Sequence, residues 1–281
     1  MAFLGLTKKQ VKQLEFEVVS KRARLQLTRM LRGAVDHQQM NAYIVRTNNV
    51  VNICRNVLGL PINIIEVNDW GDYEYVDGAW MRSEIELAMR RPDTVELVET
   101  LADLIQCGWF DEEEVNSLLA AHGCEFCFEK NSDDEVRVGI TPVEDIEVEE
   151  HEEIPNIRVL VNRMESSLEQ NDFAGVLHSS ASIFETLAKD VVALPTVENQ
   201  TLGSFFERYK KDSKLPEPVL DFILETYNRR NTEPIAGHGQ LKEPTITKEE
   251  AVVLSEMTKA FVRIERKLST VQLSKVTPSK K

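Results

Sequence analysis

Along most of this chain apolar residues recur at intervals of three and four, which predicts a mainly helical protein. Thr7 ahead of Lys8, Lys9 and Gln10 can open a helix whose apolar positions Val11, Leu14, Val18, Leu25, Leu27 and Leu31 mostly keep that interval. A second helix is expected over 38–58. From Pro61 the pattern changes. Ile62, Ile64, Ile65 and Val67 suggest a short strand, followed by an aromatic, acidic loop with Trp70, Tyr73, Tyr75 and Trp80. Helices resume at about 82–89, then from an Asp93 cap to Ile105, and from Phe110-Asp111 to Ala121, with Gly123 as the stop. Two strands, 125–129 and 135–138, joined by Asn131-Ser132-Asp133-Asp134, read as a hairpin.

Residues 141–154 hold seven acids, no Lys or Arg and no helical period, so they read as a linker. Two domains follow: an α-rich domain with a small β-hairpin over 1–140 and a helical one over 155–268. In the second, helices are expected at 156–169, 172–193, 201–211, 217–230 and 248–268. The last opens on a capping box, Thr247 with Glu250, and carries an apolar stripe of Val253, Met257, Ala260, Phe261, Ile264 and Leu268. The tail over 269–281 is polar and basic and is expected to be disordered.

Composition adds limits. The 281 residues, 42% apolar and 28% charged, suffice for two cores. No apolar run approaches the roughly 18 residues of a membrane span, and the opening Met1 to Leu6 is too short for a signal-peptide core. A soluble, cytoplasmic protein is expected. The four cysteines, Cys54, Cys107, Cys124 and Cys127, suit a reducing compartment. Cys124 and Cys127, near His122 and Cys107, suggest zinc. Strand alternation argues against it, because it places Cys124, Phe126 and Phe128 on one face and Cys127 on the other. No metal is expected. Phosphate-binding glycine loops, nucleophile elbows and dinucleotide fingerprints are absent from the sequence, and no cofactor is expected.

The net charge of −14 is segregated. Residues 1–60 carry ten Lys/Arg against three Asp/Glu, residues 61–154 five against twenty-seven, and residues 155–281 eighteen against seventeen. A polyanion could therefore approach either end of the chain. The aromatic loop is different, since Asp69, Asp72, Glu74 and Asp77 repel phosphate; it reads as a partner-protein surface or a satellite core.

The chemistry concentrates after the fourth helix of the second domain, where Pro234, Gly237 and Gly239 end helical structure. At 100° per residue Arg230 falls about 20° from Val219 and Ile223 and about 60° from Tyr227, so it faces inward, while Arg229 points to the edge of that face. A charge there needs a partner. Two are available: an ion pair with Glu185 of a neighbouring helix, or a phosphate, whose shape a guanidinium matches. His238, between two glycines, has an unperturbed pKa near 6.5, suited to proton transfer at neutral pH.

The segment Arg230-Asn231 to Gly237-His238-Gly239, followed by a capped terminal helix, resembles the C-terminal domain of abortive-infection proteins, a branch of the HEPN ribonuclease superfamily. The long helix from Asp172 to Lys189, with Glu185 and Lys189 as a Glu-x-x-x-Lys element, is similar to that family's too. The resemblance covers about 155–268 and implies a HEPN-like helical bundle with a metal-independent RNase site at Arg230, Asn231 and His238. It further implies an antiviral, toxin-like role, RNA as substrate and a homodimer. Seven residues separate Arg230 from His238, where the family has four to six. His178, Ser182, Glu185 and Lys189 form a polar stripe. Glu185, His178 and Arg229 are the supporting or substrate-binding candidates, and Lys189 reads as solvated. The region Met81 to Val138 looks similar to the accessory domains of such proteins, which implies a phage or regulatory protein as its partner. The alternative is an inactive module that dimerises or binds RNA or a partner.

Overall fold

The computed structural model describes residues 5–75, 81–143, 156–232 and 245–271, which are mainly helical with two small antiparallel hairpins. They fall into two units. The first comprises residues 5–15 and 19–141, and the second residues 16–18 together with those after 141. Most of the 141–154 linker and nearly all of the 269–281 tail lie outside the described residues.

In the first unit, α1 (Lys8–Leu14) begins in a Thr7/Gln10 capping box and α2 (Lys21–Val35) on Ser20. The continuous helix expected from Val11 to Leu31 is thus two helices, broken where Phe16–Val18 leave to pack in the second unit. Next come α3 (Met40–Val57), β1 (Ile65–Val67), β2 (Tyr73–Tyr75) and α4 (Met81–Ala88). β2 forms where the sequence suggests a loop. The Asn68 side chain, accepting from the amides of Trp70 and Asp72, closes the turn that pairs Val67 with Tyr73. α5 (Thr94–Gln106), capped by Asp93 and Glu96, is the centre of this core: Leu97, Val98, Leu101, Leu104 and Ile105 are buried with Leu27, Leu31, Val50 and Val51. α6 (Glu112–Ala121) stops where Gly123 takes φ +67°, a conformation open to glycine. β3 (Phe126–Lys130) and β4 (Val136–Ile140) then form the expected hairpin, its turn held by amides of Asp133 and Glu135 donating to the Asn131 side chain.

The second unit holds α7 (Ile157–Glu169), α8 (Phe173–Val192), a 3-10 turn at Pro195–Val197, α9 (Leu202–Asp212), α10 (Glu217–Thr232) and α11 (Lys248–Val271). The other four helices all pack on α8. Its small residues Ala174, Ser179, Ser180, Ala181 and Ala188 are buried and let them approach. The Asp172 side chain caps α8 by accepting from the Gly175 amide at 2.9 Å. A Cβ on Gly175 would fall 2.1 Å from that same carboxylate, so a side chain there would displace the cap.

α11 departs from its expected orientation. Its buried face is Ala251, Leu254, Ser255, Thr258, Phe261, Val262 and Glu265, while Val253 and Ile264 of the apolar stripe are exposed. Apolar periodicity misleads here because the inward face includes polar groups with local partners. Thr258 donates to the Leu254 carbonyl at 2.7 Å, and the Glu265 carboxylate accepts from Ser213 Oγ at 2.6 Å and Tyr209 Oη at 3.4 Å.

Phe16–Val18 enter this unit as a peg. Glu17 is fully buried, with Arg158 Nε 2.9 Å from one carboxylate oxygen in an ion pair and Asn156 Nδ2 donating to the other at 3.0 Å. Arg266 donates to the Glu17 carbonyl at 2.8 Å, and the Arg263 guanidinium lies over the Phe16 ring. Removing one member of such a pair strands the other charge in the interior, at a cost of about 3–5 kcal/mol. Glu17→Ala is therefore expected to lower the unfolding free energy of the second unit by about that amount in urea titrations. A change under about 1 kcal/mol would show that the pair adds nothing to the peg.

Candidate functional site

At the end of α10 the side chains of Tyr227 and Arg230 stand one turn apart. Tyr227 is buried, and the half-buried Arg230 places its guanidinium carbon 5.1 Å from the centroid of that ring. A cation over an aromatic face is held by the ring quadrupole without being neutralised. The Glu185 carboxylate on α8 is near enough to act on the Tyr227 hydroxyl, and it accepts from Lys189 Nζ at 2.8 Å. The Lys189–Glu185 pair on α8 thus neighbours the Tyr227–Arg230 pair on α10. Burial, and then the neighbouring Glu185 carboxylate, push the Tyr227 pKa up, and Arg230 pulls it partly back.

Two expectations change. Glu185 does not pair with Arg230; its charge is met by Lys189 one turn on, so among the described residues the Arg230 guanidinium has no carboxylate partner. Lys189 is not solvated, since its side chain is only 9% exposed in that pair. Tyr227 was seen from sequence only as an apolar-face residue. Its place three residues before Arg230, on one helical face, was the available signal.

Arg229 turns toward α11, its guanidinium 3.3 Å from Glu250. Beside that pair opens a cavity of about 220 Å³, walled by Leu177, Phe222, Thr226, Ile246 and Leu254. His178 is exposed on α8, two turns before Glu185, with Ser182 Oγ donating to its carbonyl at 3.0 Å. Asn231 is exposed in the last turn of α10. His238, with Pro234, Gly237 and Gly239, lies outside the described residues. The structure therefore stacks Arg230 on Tyr227, with Glu185 nearby but paired to Lys189, sets Arg229 apart on Glu250, and leaves His178 and Asn231 at the surface.

The first unit offers other features. A groove of about 510 Å³ runs along Gly108 to Glu113 with Lys130 on its wall. Asp111 there is occupied in capping α6, and Glu112 and Glu113 sit in the first turn of that helix, where the dipole favours acids. Burial pushes the Cys54 thiol up to about 12, which leaves it protonated and poorly nucleophilic at neutral pH. Cys124 is buried beside Phe126 and Phe128 while Cys127 is half-exposed. Among the described residues no three His, Cys, Asp or Glu side chains are grouped to hold a metal ion. None of their helices is long and apolar enough to cross a membrane. Trp70 stands exposed at the β1–β2 turn, while Asp77 and Trp80 lie outside the described residues.

No family model matches this chain, and neither a curated protein nor a solved structure does.

The site makes a prediction in alkali. Tyr227 and the buried Tyr209, raised by burial and then by the Glu265 charge, both hold their protons more tightly folded than unfolded. Their contribution to stability is complete below the unfolded tyrosine pKa near 10 and is lost as pH climbs through the raised values. Tyrosinate absorbance should show two of the five tyrosines ionising only as the second unit unfolds, and Tyr209→Phe should remove one of them. Ionisation of all five near pH 10 with helical circular dichroism intact would contradict the burial argument.

Proposed function

We propose that the second unit is a metal-independent endoribonuclease, with Arg230, Asn231 and His238 as its reacting and binding groups. The reading joins the resemblance to the abortive-infection HEPN domain with one observation. Arg230 is half-buried and stacked on Tyr227, yet carries a charge no described carboxylate neutralises, which leaves it for an anion. The four helices packed on α8 are compatible with the HEPN-like bundle that the resemblance implies. In the proposed reaction the ribose 2′-oxygen bonds to the adjacent phosphorus as His238 takes its proton. The bond from phosphorus to the 5′-oxygen breaks, and that oxygen is protonated by water. Arg230 stabilises the negative charge added at the phosphoryl oxygens, and Asn231 holds one of them. The products are a 2′,3′-cyclic phosphate and a 5′-hydroxyl. A toxin-like, antiviral role follows from the resemblance alone.

The test is RNA cleavage by the full chain in excess chelator. Arg230→Ala and His238→Ala are expected to slow it by roughly 10²–10⁴-fold. Tyr227→Phe keeps the ring beneath Arg230 and should cleave nearly as wild type, whereas Tyr227→Leu should be impaired. DNA, lacking the 2′-hydroxyl, should remain intact. Equal cleavage by wild type and both alanine variants, or none by any of them, would sink the proposal. A second reading, an inactive module that binds a partner protein, is favoured by Trp70 exposed on the β1–β2 hairpin beside exposed Ile64, Val67 and Tyr73. Capture of a partner by wild type but not by Trp70→Ala, with no RNA cleaved, would favour it.

A further inference from the structure

In the first unit the outer edges of β2, β3 and β4 are each met by a side-chain amide. Phe128 of β3 and Val138 of β4 stand opposite each other with their backbone groups turned outward. Asn116 bonds both the amide and the carbonyl of Phe128 at 2.8 Å. Gln10 donates to the Val138 carbonyl at 3.5 Å, and Gln106 accepts from the Val136 amide at 2.8 Å. On β2 the Tyr73 amide donates to Asn41 Oδ1 at 3.1 Å. That outward Tyr73 fixes the phase of β1, because bonded and non-bonded pairs alternate along an antiparallel ladder. Asn68 donates to the Asp72 carbonyl at 2.9 Å, so the next pair, Val67 with Tyr73, and then Ile65 with Tyr75 turn their backbone groups away from each other. Asn52 takes up the amide and carbonyl of Asn63, two residues before β1, and the covering stops there. Among the described residues no group meets the outward amides and carbonyls of Ile65 and Val67. Such an edge is a template for another strand.

The side chains on β1 say which strand fits. Glu66 and Glu74 are exposed and directly opposite each other on one face, a like-charge pair that weakens a sheet. Among the described residues neither carboxylate has a basic partner. A strand laid along β1 sets one residue beside Glu66 on that face, and Lys or Arg there relieves the pair. The residues before and after it fall on the other face, beside Val67 and Tyr73. Val67 is 60% exposed, which favours apolar side chains at those two places. A second copy of β1 is a poor occupant, since pairing the strand in full with itself, in either direction, sets Glu66 against Glu66.

We propose that β1 takes an extended segment of a partner protein as a third strand, one in which Lys or Arg stands between two apolar residues. The inference is independent of the ribonuclease reading, since none of these residues belongs to that site. The probe is a blocked Ser-Thr-Val-Lys-Val-Thr-Ser peptide titrated into the full-length chain. It is expected to bind and to slow amide hydrogen exchange at Ile65 and Val67, the two outward donors. Val67→Pro removes one of those donors and no bond to β2, so the melting temperature should hold while the peptide's dissociation constant rises by about tenfold or more. Glu66→Lys should weaken this peptide as much and bind the counterpart with Val-Glu-Val at its centre, an exchange that loss of folding could not produce. No binding at millimolar peptide, unaltered exchange at Ile65 and Val67, or equal affinity for wild type and Val67→Pro would overturn the proposal. A partner protein captured through Trp70 by wild type and Val67→Pro alike would overturn it and leave the second reading standing.

Discussion

α8 buries thirteen of its twenty residues, and four other helices lean on it, so the second unit is constrained from its axis outward. A helix covered on so many sides must carry small residues where neighbours come close and large ones where they do not. Ala181 and Ala188 alternate with Phe184 and Leu187 to that effect. Even its start is fixed, because the capping carboxylate of Asp172 occupies the space a side chain at position 175 would need. The seam left over is His178, Ser182, Glu185 and Lys189. Along that seam His178 faces solvent and Glu185 takes up Lys189, next to the Tyr227 of α10 that carries Arg230.

Helix boundaries in the second unit were legible because their signals are local. Asn156, Asp172 and Thr247 cap the helices that follow them, and the elements start where those caps stand. What failed was inference about faces. In α11 the apolar stripe and the buried stripe differ, since Ser255, Thr258 and Glu265 face inward while Val253 and Ile264 do not. Periodicity measures where apolar residues are, and equates that with the interior only when a helix has one apolar face. The break between α1 and α2 was hidden for another reason. Val18 continues the apolar spacing, and nothing local reveals that it and Phe16 join a cluster that includes Ile157 and Val262, far along the chain.

For the candidate site, sequence located Arg230 and its helical neighbours but not their pairing. Arg230, Glu185 and Lys189 are three charges with several possible combinations, and the rotation of α8 against α10 selects one. With Lys189 on Glu185, the remaining guanidinium rests on a π face, which holds its position while leaving its field outside the protein largely intact. An ion pair with Glu185 would have held it equally well and cancelled that field.

The peg formed by Phe16–Val18 also bears on how the protein comes into being. Glu17 meets Asn156 across 139 residues and Arg266 across 249. On a ribosome adding 5–20 residues per second, Arg266 is made roughly 12–50 s after Glu17. For that interval an acidic residue and the aromatic beside it wait in water for a socket that does not yet exist. Synthesis of the first unit's described residues, which end at 141, is completed within that interval. Insertion of the peg is then a late, latch-like step, and agents that bind the emerging amino terminus would act on the assembly of a helical core synthesised long afterwards.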